Sequence, residues 1–275
     1  MSVYADRTQR WRETRESYRV RGESFDPRRF GVEVIASDTE ARDFVTRHHY
    51  SGTYPAARLR VGLYRQRSWI VPELVGVAVF SVGVQPAAVP NWVPGLAPAD
   101  GVDLGRFVLL DDVPFNAETW FLRRAFAALA SELVGVRCVL SYSDPLARRT
   151  DAGSLVTPGH VGAIYQAKGA RYAGRTRASW ILLDALGRTL SARSLSKIRL
   201  EESGHEAAAR SLVARGAPKR TTGESSAVWL QRALQDGGFR RVRHPGQHVY
   251  LFAPDGRALP GSPALAYPKK DAVSA

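Results

Sequence analysis

Between residues 103 and 142 the chain reads strand, helix, strand. Residues 103–110 and 136–142 are apolar and β-branched enough for strands. Residues 117–133 form an amphipathic helix with Asn116 at its capping position. A helical crossover joins parallel neighbours, so this segment demands a sheet with at least one parallel pair. Three earlier strand candidates, 32–35, 59–64 and 74–84, predict antiparallel neighbours. A helix capped by Ser37 or Asp38 runs to about His48, and 86–98, with Pro90 and Pro94, reads as a loop. Downstream, a helix from about 158 to 168 ends at Gly169, and 180–183 is a further strand. The order β-α-β-β-β-α-β-α-β predicts an α/β fold, more closely a mixed α+β one, with helices packed on a mixed sheet. Past residue 186 come helices near 203–214 and 224–236 and a strand at 249–253. These patterns divide the chain into an N-terminal arm (1–30), a catalytic domain (31–185) and a C-terminal extension (186–275).

Charge sharpens that division. The net charge is +13, but residues 31–185 carry 16 basic against 14 acidic groups, whereas 186–275 carry 15 against 7. A basic extension favours a polyanion through counterion release, and Lys219, Arg220, Arg240 and Arg241 are its nucleic-acid contact candidates. Hydrophobic residues at 44% supply a core. No apolar run reaches the roughly 18 residues of a membrane span, and the N-terminus shows no apolar signal core. Cys138 is the single cysteine, which rules out an internal disulfide and fits a reducing, cytoplasmic setting.

Several short segments carry more specific information. Ile164-Tyr165-Gln166-Ala167-Lys168-Gly169-Ala170, with the element order, resembles the end of a GNAT acyltransferase domain. Four further segments run in order: His48-His49-Tyr50-Ser51-Gly52, Leu104-Gly105-Arg106-Phe107-Val108-Leu109, Ser141-Tyr142-Ser143-Asp144-Pro145, and His160 through Tyr165 to Gly174-Arg175-Thr176-Arg177. Together they resemble the phage Mom family of DNA-modification proteins, with a fainter echo at Gly246-Gln247-His248-Val249-Tyr250. That resemblance implies a GNAT-like splayed sheet and a transferase converting adenine to N6-carbamoylmethyl-adenine in phage DNA, protecting it from host restriction. By position it implies His49, Tyr50, Arg106 and Asp144 as catalytic residues, with Ser51, Ser143, Tyr165, Arg175 and Arg177 holding substrate or donor. In the GNAT superfamily a tyrosine at the place of Tyr165 protonates the departing coenzyme A thiolate.

The residues themselves suit such chemistry. Adenine N6 is a poor nucleophile because its lone pair is delocalised, so a base must take its proton as the new bond forms. Asp144 or His49 could do so, with Tyr50 orienting the base. Each also has a plainer reading: His49-Tyr50 as a packed helix end, Asp144-Pro145 as a turn, Arg106 as an ion pair with Asp103 or Asp112. The link 110–116 has two carboxylates, a proline and no glycine, and so is a poor cradle for the pyrophosphate of acetyl-coenzyme A. Charged glycine tRNA is the alternative donor, which adds tRNA to DNA as an expected partner. His49, His160 and Asp144 form a weaker metal alternative, with iron suggested by the resemblance. Competing readings are a GNAT-type N-acyltransferase acting on a protein or small amine, and a non-enzymatic nucleic-acid-binding protein.

Overall fold

The computed structural model describes residues 7–12, 15–20, 23–66, 71–83, 85–261 and 263–269. In chain order the strands are β1 Arg7–Arg12, β2 Arg15–Val20, β3 Phe30–Val34, β4 Ala57–Arg65, β5 Glu73–Ser81, β6 Gly101–Leu109, β7 Cys138–Ser143, β8 Arg148–Arg149, β9 Leu155–Thr157, β10 Arg171–Arg175, β11 Ser179–Leu183, β12 Arg240–His244 and β13 His248–Phe252. The helices are α1 Asp38–His48, α2 Ala88–Trp92, α3 Ala117–Glu132, α4 Ala163–Ala167, α5 Ala192–Leu200, α6 His205–Val213 and α7 Ser226–Asp236. None of the described helices is long and apolar enough to cross a membrane.

The chain forms two compact units, and the division is not the sequential one expected at 185/186. The first comprises Met1–Asp144, His160–Thr176 and Gln247–Ala275; the second comprises Pro145–Gly159 and Arg177–Gly246. Strand β13 is the reason. It returns from the C-terminal stretch to lie between β7 and β10, so the sheet is incomplete without it. The strand expected at 180–183 forms, but it leaves that sheet and pairs with β12 in the second unit. Two strands lie in the stretch expected as an N-terminal arm. Arg7–Arg12 and Arg15–Val20 pair antiparallel, and Phe25 packs on Phe30 and Trp120 with ring centroids 5.3 and 5.4 Å apart. Residues 1–6, 13–14 and 21–22 of that arm, and Val84 at the end of the expected 74–84 strand, lie outside the described residues.

In the first unit seven strands run in the order β10-β13-β7-β6-β5-β4-β3. Their alternation sorts side chains to two faces. Val77, Val79 and Val108 meet Ala41, Phe44 and Val45 of α1, while Ala78, Phe80, Leu104 and Val139 meet Phe121, Leu122, Ala125 and Leu129 of α3. On the α1 side, Cys138, Leu140, Val249 and Leu251 also pack on Val89 of α2 and on Val93 just after it; α2 is a short helix inside the stretch expected to be loop. Each fully buried side chain of this kind contributes about 1.5–3 kcal/mol. Ser37 caps α1 by accepting from the Glu40 N–H, as expected. Asn116 does stand before α3, but its side chain makes no capping bond; it takes the left-handed conformation (φ 73°) instead.

The parallel pair demanded by the 103–142 pattern is present and brief. Strands β6 and β7 pair only at Gly101–Cys138, Val102–Val139 and Asp103–Leu140. Beyond that point β6 continues with β5 as far as Leu109, and β7 continues with β13 as far as Ser143. The two strands therefore diverge, and the sheet is splayed between them.

The second unit has its own core. Ile198 of α5, Leu212 of α6 and Trp229, Leu230 and Ala233 of α7 are buried together with Leu190 and Ala217. The Trp229 indole N–H donates to the Pro218 carbonyl at 2.9 Å. This unit carries 15 Lys and Arg against 7 Asp and Glu, so most of the chain's excess positive charge lies in it.

Candidate functional site

Where β6 leaves β7, its side-chain phase changes. Val102 and Leu104 face α3, and a regular strand would turn Arg106 the same way. Instead the β5–β6 register shifts between Val79, opposite Arg106, and Phe80, opposite Leu104, which leaves Gly105 as an extra residue. Phe107 and Leu109 then take the α3 face and Val108 the α1 face. The bulge thus re-aims Arg106 toward the loop that follows α1, a common use of bulges beside functional sites. Glycine suits this point, since a Cβ on Gly105 would press on the Ser81 hydroxyl and lie 3.1 Å from Pro55 Cγ.

Arg106 pins that loop. Its Nε donates to the Thr53 carbonyl at 2.8 Å, its Nη2 to the Thr53 hydroxyl and its Nη1 to the Gly105 carbonyl. All three acceptors are neutral. The expected alternative, an ion pair with Asp112, does not form, because Asp112 is bound to Arg65 at 2.8 Å. The chain of bonds continues past Thr53. Its hydroxyl donates to Ser51 Oγ (3.3 Å), and Ser51 Oγ (2.9 Å) and the Ser51 N–H (3.2 Å) both reach His49 Nδ1. A backbone N–H can only donate, so Nδ1 is an acceptor and the ring proton belongs on Nε2.

His49 follows the C-terminus of α1, where its own N–H caps the Val45 carbonyl. Burial, then the nearby Arg106 cation and His160, hold its pKa down to about 3. The imidazole is therefore neutral at ordinary pH, with Nδ1 engaged and Nε2–H free to donate. In this arrangement Nδ1 is engaged by Ser51, and Nε2 carries the ring proton. Tyr50 stacks on it with centroids 4.4 Å apart and meets His160 edge-on at 6.5 Å.

Burial lowers the Arg106 pKa, opposed by Tyr50 and Tyr165. Burial, with Tyr50 and Tyr250, raises that of Tyr165, so its hydroxyl keeps its proton. These mutual influences place His49, Tyr50, Arg106, His160 and Tyr165 in one neighbourhood. Ser143 ends β7 beside it. Ser143 is fully buried, and among the described residues Ser143 Oγ and Ser141 Oγ have no hydrogen-bond partner. Gly162, at φ 70°, leaves room for this corner: a Cβ there would sit 2.7 Å from Tyr250, 2.9 Å from Tyr165 and 3.2 Å from Ser143 Oγ.

Asp144 joins through its backbone. Its carbonyl accepts from the His160 N–H at 2.7 Å, closing the base of the excursion 145–159. Its carboxylate is not among the groups that shift His49 or Arg106. Arg175 lies on the same sheet end, in the row Arg175–His248–Ser143 across β10, β13 and β7. Its Nη2 is 3.5 Å from His248 Nε2, and His248 Nδ1 is 2.8 Å from the Tyr172 hydroxyl. Arg177 is exposed and belongs to the second unit. Two participants escaped the sequence reading. Thr53 lies in a loop whose only sequence signal is the Ser51-Gly52-Thr53 turn, and His248 stands in the fainter family echo, which implies no role for it.

The metal alternative is not assembled. Among the described residues no three His, Cys, Asp or Glu side chains come together as a ligand set, and His49 Nδ1 is already bonded. Iron does not fit these residues. Coenzyme A fits no better at the 110–116 link, where the Phe115 N–H is taken by the Glu23 carboxylate at 2.9 Å and Asp111 adds a second negative charge. Cys138 is buried in the sheet and its thiol is pushed up to about 12, chiefly by burial.

Of the extension's four candidates, two are used internally. Arg220 donates to the Glu224 carbonyl and to Ser226 Oγ (3.0 Å), and Arg240 binds Asp151 and the Arg149 carbonyl. Lys219 and Arg241 remain exposed.

No curated protein matches this chain by sequence. Among solved structures it is similar to a "Tandem GNAT protein from the clavulanic acid biosynthesis pathway (without AcCoA)", at 10% identity and a TM-score of 0.40, over 82% of this chain and 98% of that one. The sequence model of the Mom protein family matches residues 29–269, nearly all of the chain, and the chain belongs to that family.

Proposed function

We propose that this protein transfers a glycyl-derived group to N6 of adenine in DNA, at the divergence of β6 and β7, leaving N6-carbamoylmethyl-adenine. Membership of the Mom family supports the general function, phage DNA adenine modification by a transferase. The observation that carries the finer reading is Arg106, a half-buried cation bonded to neutral oxygens only, beside a neutral His49 and a protonated Tyr165. A positive charge without a carboxylate partner is suited to an oxyanion that develops in the transition state.

In this reading N6 attacks the carbonyl of a glycyl ester. The tetrahedral oxyanion is held by Arg106, and the ester C–O bond breaks toward the ribose of the charged tRNA. Asp144, at the end of β7, takes the N6 proton and the leaving ribose oxygen acquires one. The free glycyl amine then attacks C6 through a five-membered ring. Breaking the original C6–N6 bond leaves C6–NH–CH2–C(=O)NH2, an isomerisation that needs no further reactant. His49 Nε2–H and the Tyr50 ring would orient the adenine, which must leave the duplex stack to reach them. An acyltransferase acting on a protein or small amine would require the coenzyme A that the acidic 110–116 link is poorly built to hold.

The test supplies purified protein and DNA with carbon-labelled glycyl-tRNA or with acetyl-coenzyme A, followed by nucleoside mass spectrometry. Label on deoxyadenosine with charged tRNA alone is the expected result. Modification driven by the thioester alone would overturn the donor assignment.

A further inference from the structure

The second unit carries a pair of arginines that no internal interaction neutralises. Strands β11 and β12 form an antiparallel ribbon in which Trp180 lies opposite Arg243 and Leu182 opposite Arg241. Directly paired residues project to the same side, so Trp180, Arg241 and Arg243 share one face. The guanidinium carbons of Arg241 and Arg243 stand 4.5 and 5.5 Å from the Trp180 ring centroid. Trp180 is 53% exposed and both arginines are exposed. Neither strand contains an acidic residue, and among the described residues neither arginine has an ion pair. Arg240, one position away on the opposite face, shows the contrast, since Asp151 and the Arg149 carbonyl take its donors.

The arrangement has a physical consequence. Two like charges two positions apart on a strand are roughly 7 Å apart and repel. The indole face attracts both guanidiniums, which holds them near the ring. Stacking occupies the face of a guanidinium and leaves its edge N–H groups free, and those are the groups that bind phosphate. With its indole committed to two cations, Trp180 serves as their support rather than as a platform for a splayed base.

We propose that the Trp180–Arg241–Arg243 ribbon docks duplex DNA by gripping phosphates of one strand. This rests on the reading that DNA is the substrate, and it assigns binding to residues apart from those that carry the chemistry. Charge complementarity selects the partner: an exposed, unneutralised cationic pair in the more basic unit.

The experiment measures binding of the full chain to a short labelled DNA duplex by fluorescence anisotropy over a series of salt concentrations. Arg241→Gln with Arg243→Gln should weaken binding at least tenfold and reduce the salt slope by about 1.8, because each phosphate contact contributes about 0.9. Trp180→Leu should weaken it several-fold by freeing both guanidiniums. Arg137→Gln with Arg199→Gln removes the same charge from other exposed positions and should have a much smaller effect. An unchanged slope in the ribbon double variant, or an equal loss in the control pair, overturns the proposal. So does a structured RNA that displaces the duplex at lower concentration through the same residues, which would assign the ribbon to RNA. Nucleosides of plasmid DNA are analysed in parallel. Modified adenine with ribbon-independent binding removes only the docking surface, whereas ribbon-dependent binding without modified adenine retains it and removes the functional reading.

Discussion

Asp184 in the second unit and Arg106 in the first are both drawn away from solvent, and the chain treats them in opposite ways. Asp184 is 1% exposed and accepts from the Leu186 and Arg188 N–H groups, from Arg188 Nε at 2.9 Å and from Arg215 Nε at 2.8 Å. Burial would raise its pKa, but the bonds from Arg215 and Arg188 outweigh that and lower it. The four bonds use up its two oxygens, and no acceptor site is left for a ligand. Arg106 is half-buried, meets only the oxygens of Thr53 and Gly105, and keeps its full charge uncompensated. A charge answered by opposite charge builds structure. A charge answered by neutral dipoles leaves a field for something that arrives later.

The largest expected effect lies on the compensated side. Asp184→Ala strands two arginines and should lower unfolding free energy by about 3–5 kcal/mol in a chemical denaturation series. Because its folded pKa is depressed, its contribution is present above the unfolded carboxylate value near 3.8 and is lost as pH falls below it. A loss under about 1 kcal/mol would mean that the pair is no stronger than a surface ion pair and would erase the contrast with Arg106.

Gly162→Ala tests how tightly the uncompensated side is built. The positive φ and the approach of Tyr250, Tyr165 and Ser143 leave no room for a Cβ. A stability loss of about 1–3 kcal/mol, with a larger loss of adenine modification, is expected. Wild-type levels of modification would show that the Ser143–Tyr165 corner lies outside the reaction.

A pH-dependent effect, small near neutrality and growing as pH falls, comes from His49. Its pKa is lowered to about 3, so between that value and the unfolded value near 6.5 only the unfolded chain takes up this proton. Stability should therefore fall as pH drops through that window, by at most about 1.4 kcal/mol per pH unit from this group. Over the same window the rate should show no limb that disappears in His49→Ala. Gln retains an N–H, so His49→Gln should keep more activity than His49→Ala. Equal inactivity of the two, with a limb near 6.5 in the wild type, would make His49 a base after all.

These contrasts show which parts of the molecule sequence patterns reach. The crossover 103–142, helix α1 with its Ser37 cap, and the loop 51–55 follow from local periodicity and capping chemistry, and all three form. The place of β13 does not, because its partner β7 lies about a hundred residues upstream and only the folded sheet reveals the gap it fills. For the same reason the strand at 179–183 looked like the next member of the sheet until β12 claimed it. Within the site, the residue types at 49, 50, 106 and 165 were legible as a family pattern. The bulge at Gly105 that turns Arg106 toward Thr53 was not, since a single glycine in a strand signals a bulge without saying which side chains it flips. The internal bonds of Arg220 and Arg240 were not legible either, because charge counts do not show which cations also bind within the fold.

The most direct measurement compares nucleosides from plasmid DNA recovered from cells expressing the wild-type chain or Arg106→Gln, with the denaturation midpoint of each purified protein recorded alongside. A modified deoxyadenosine is expected with the wild type. It should drop by about a hundredfold or more in Arg106→Gln, the scale of losing one group that stabilises an oxyanion. The unfolding free energy should fall by about 1.5–3 kcal/mol, the net worth of a hydrogen bond made by a charged group. Unmodified DNA from wild-type cells, or modification that survives the loss of the Arg106 charge, would contradict the assignment of this uncompensated cation to the reaction.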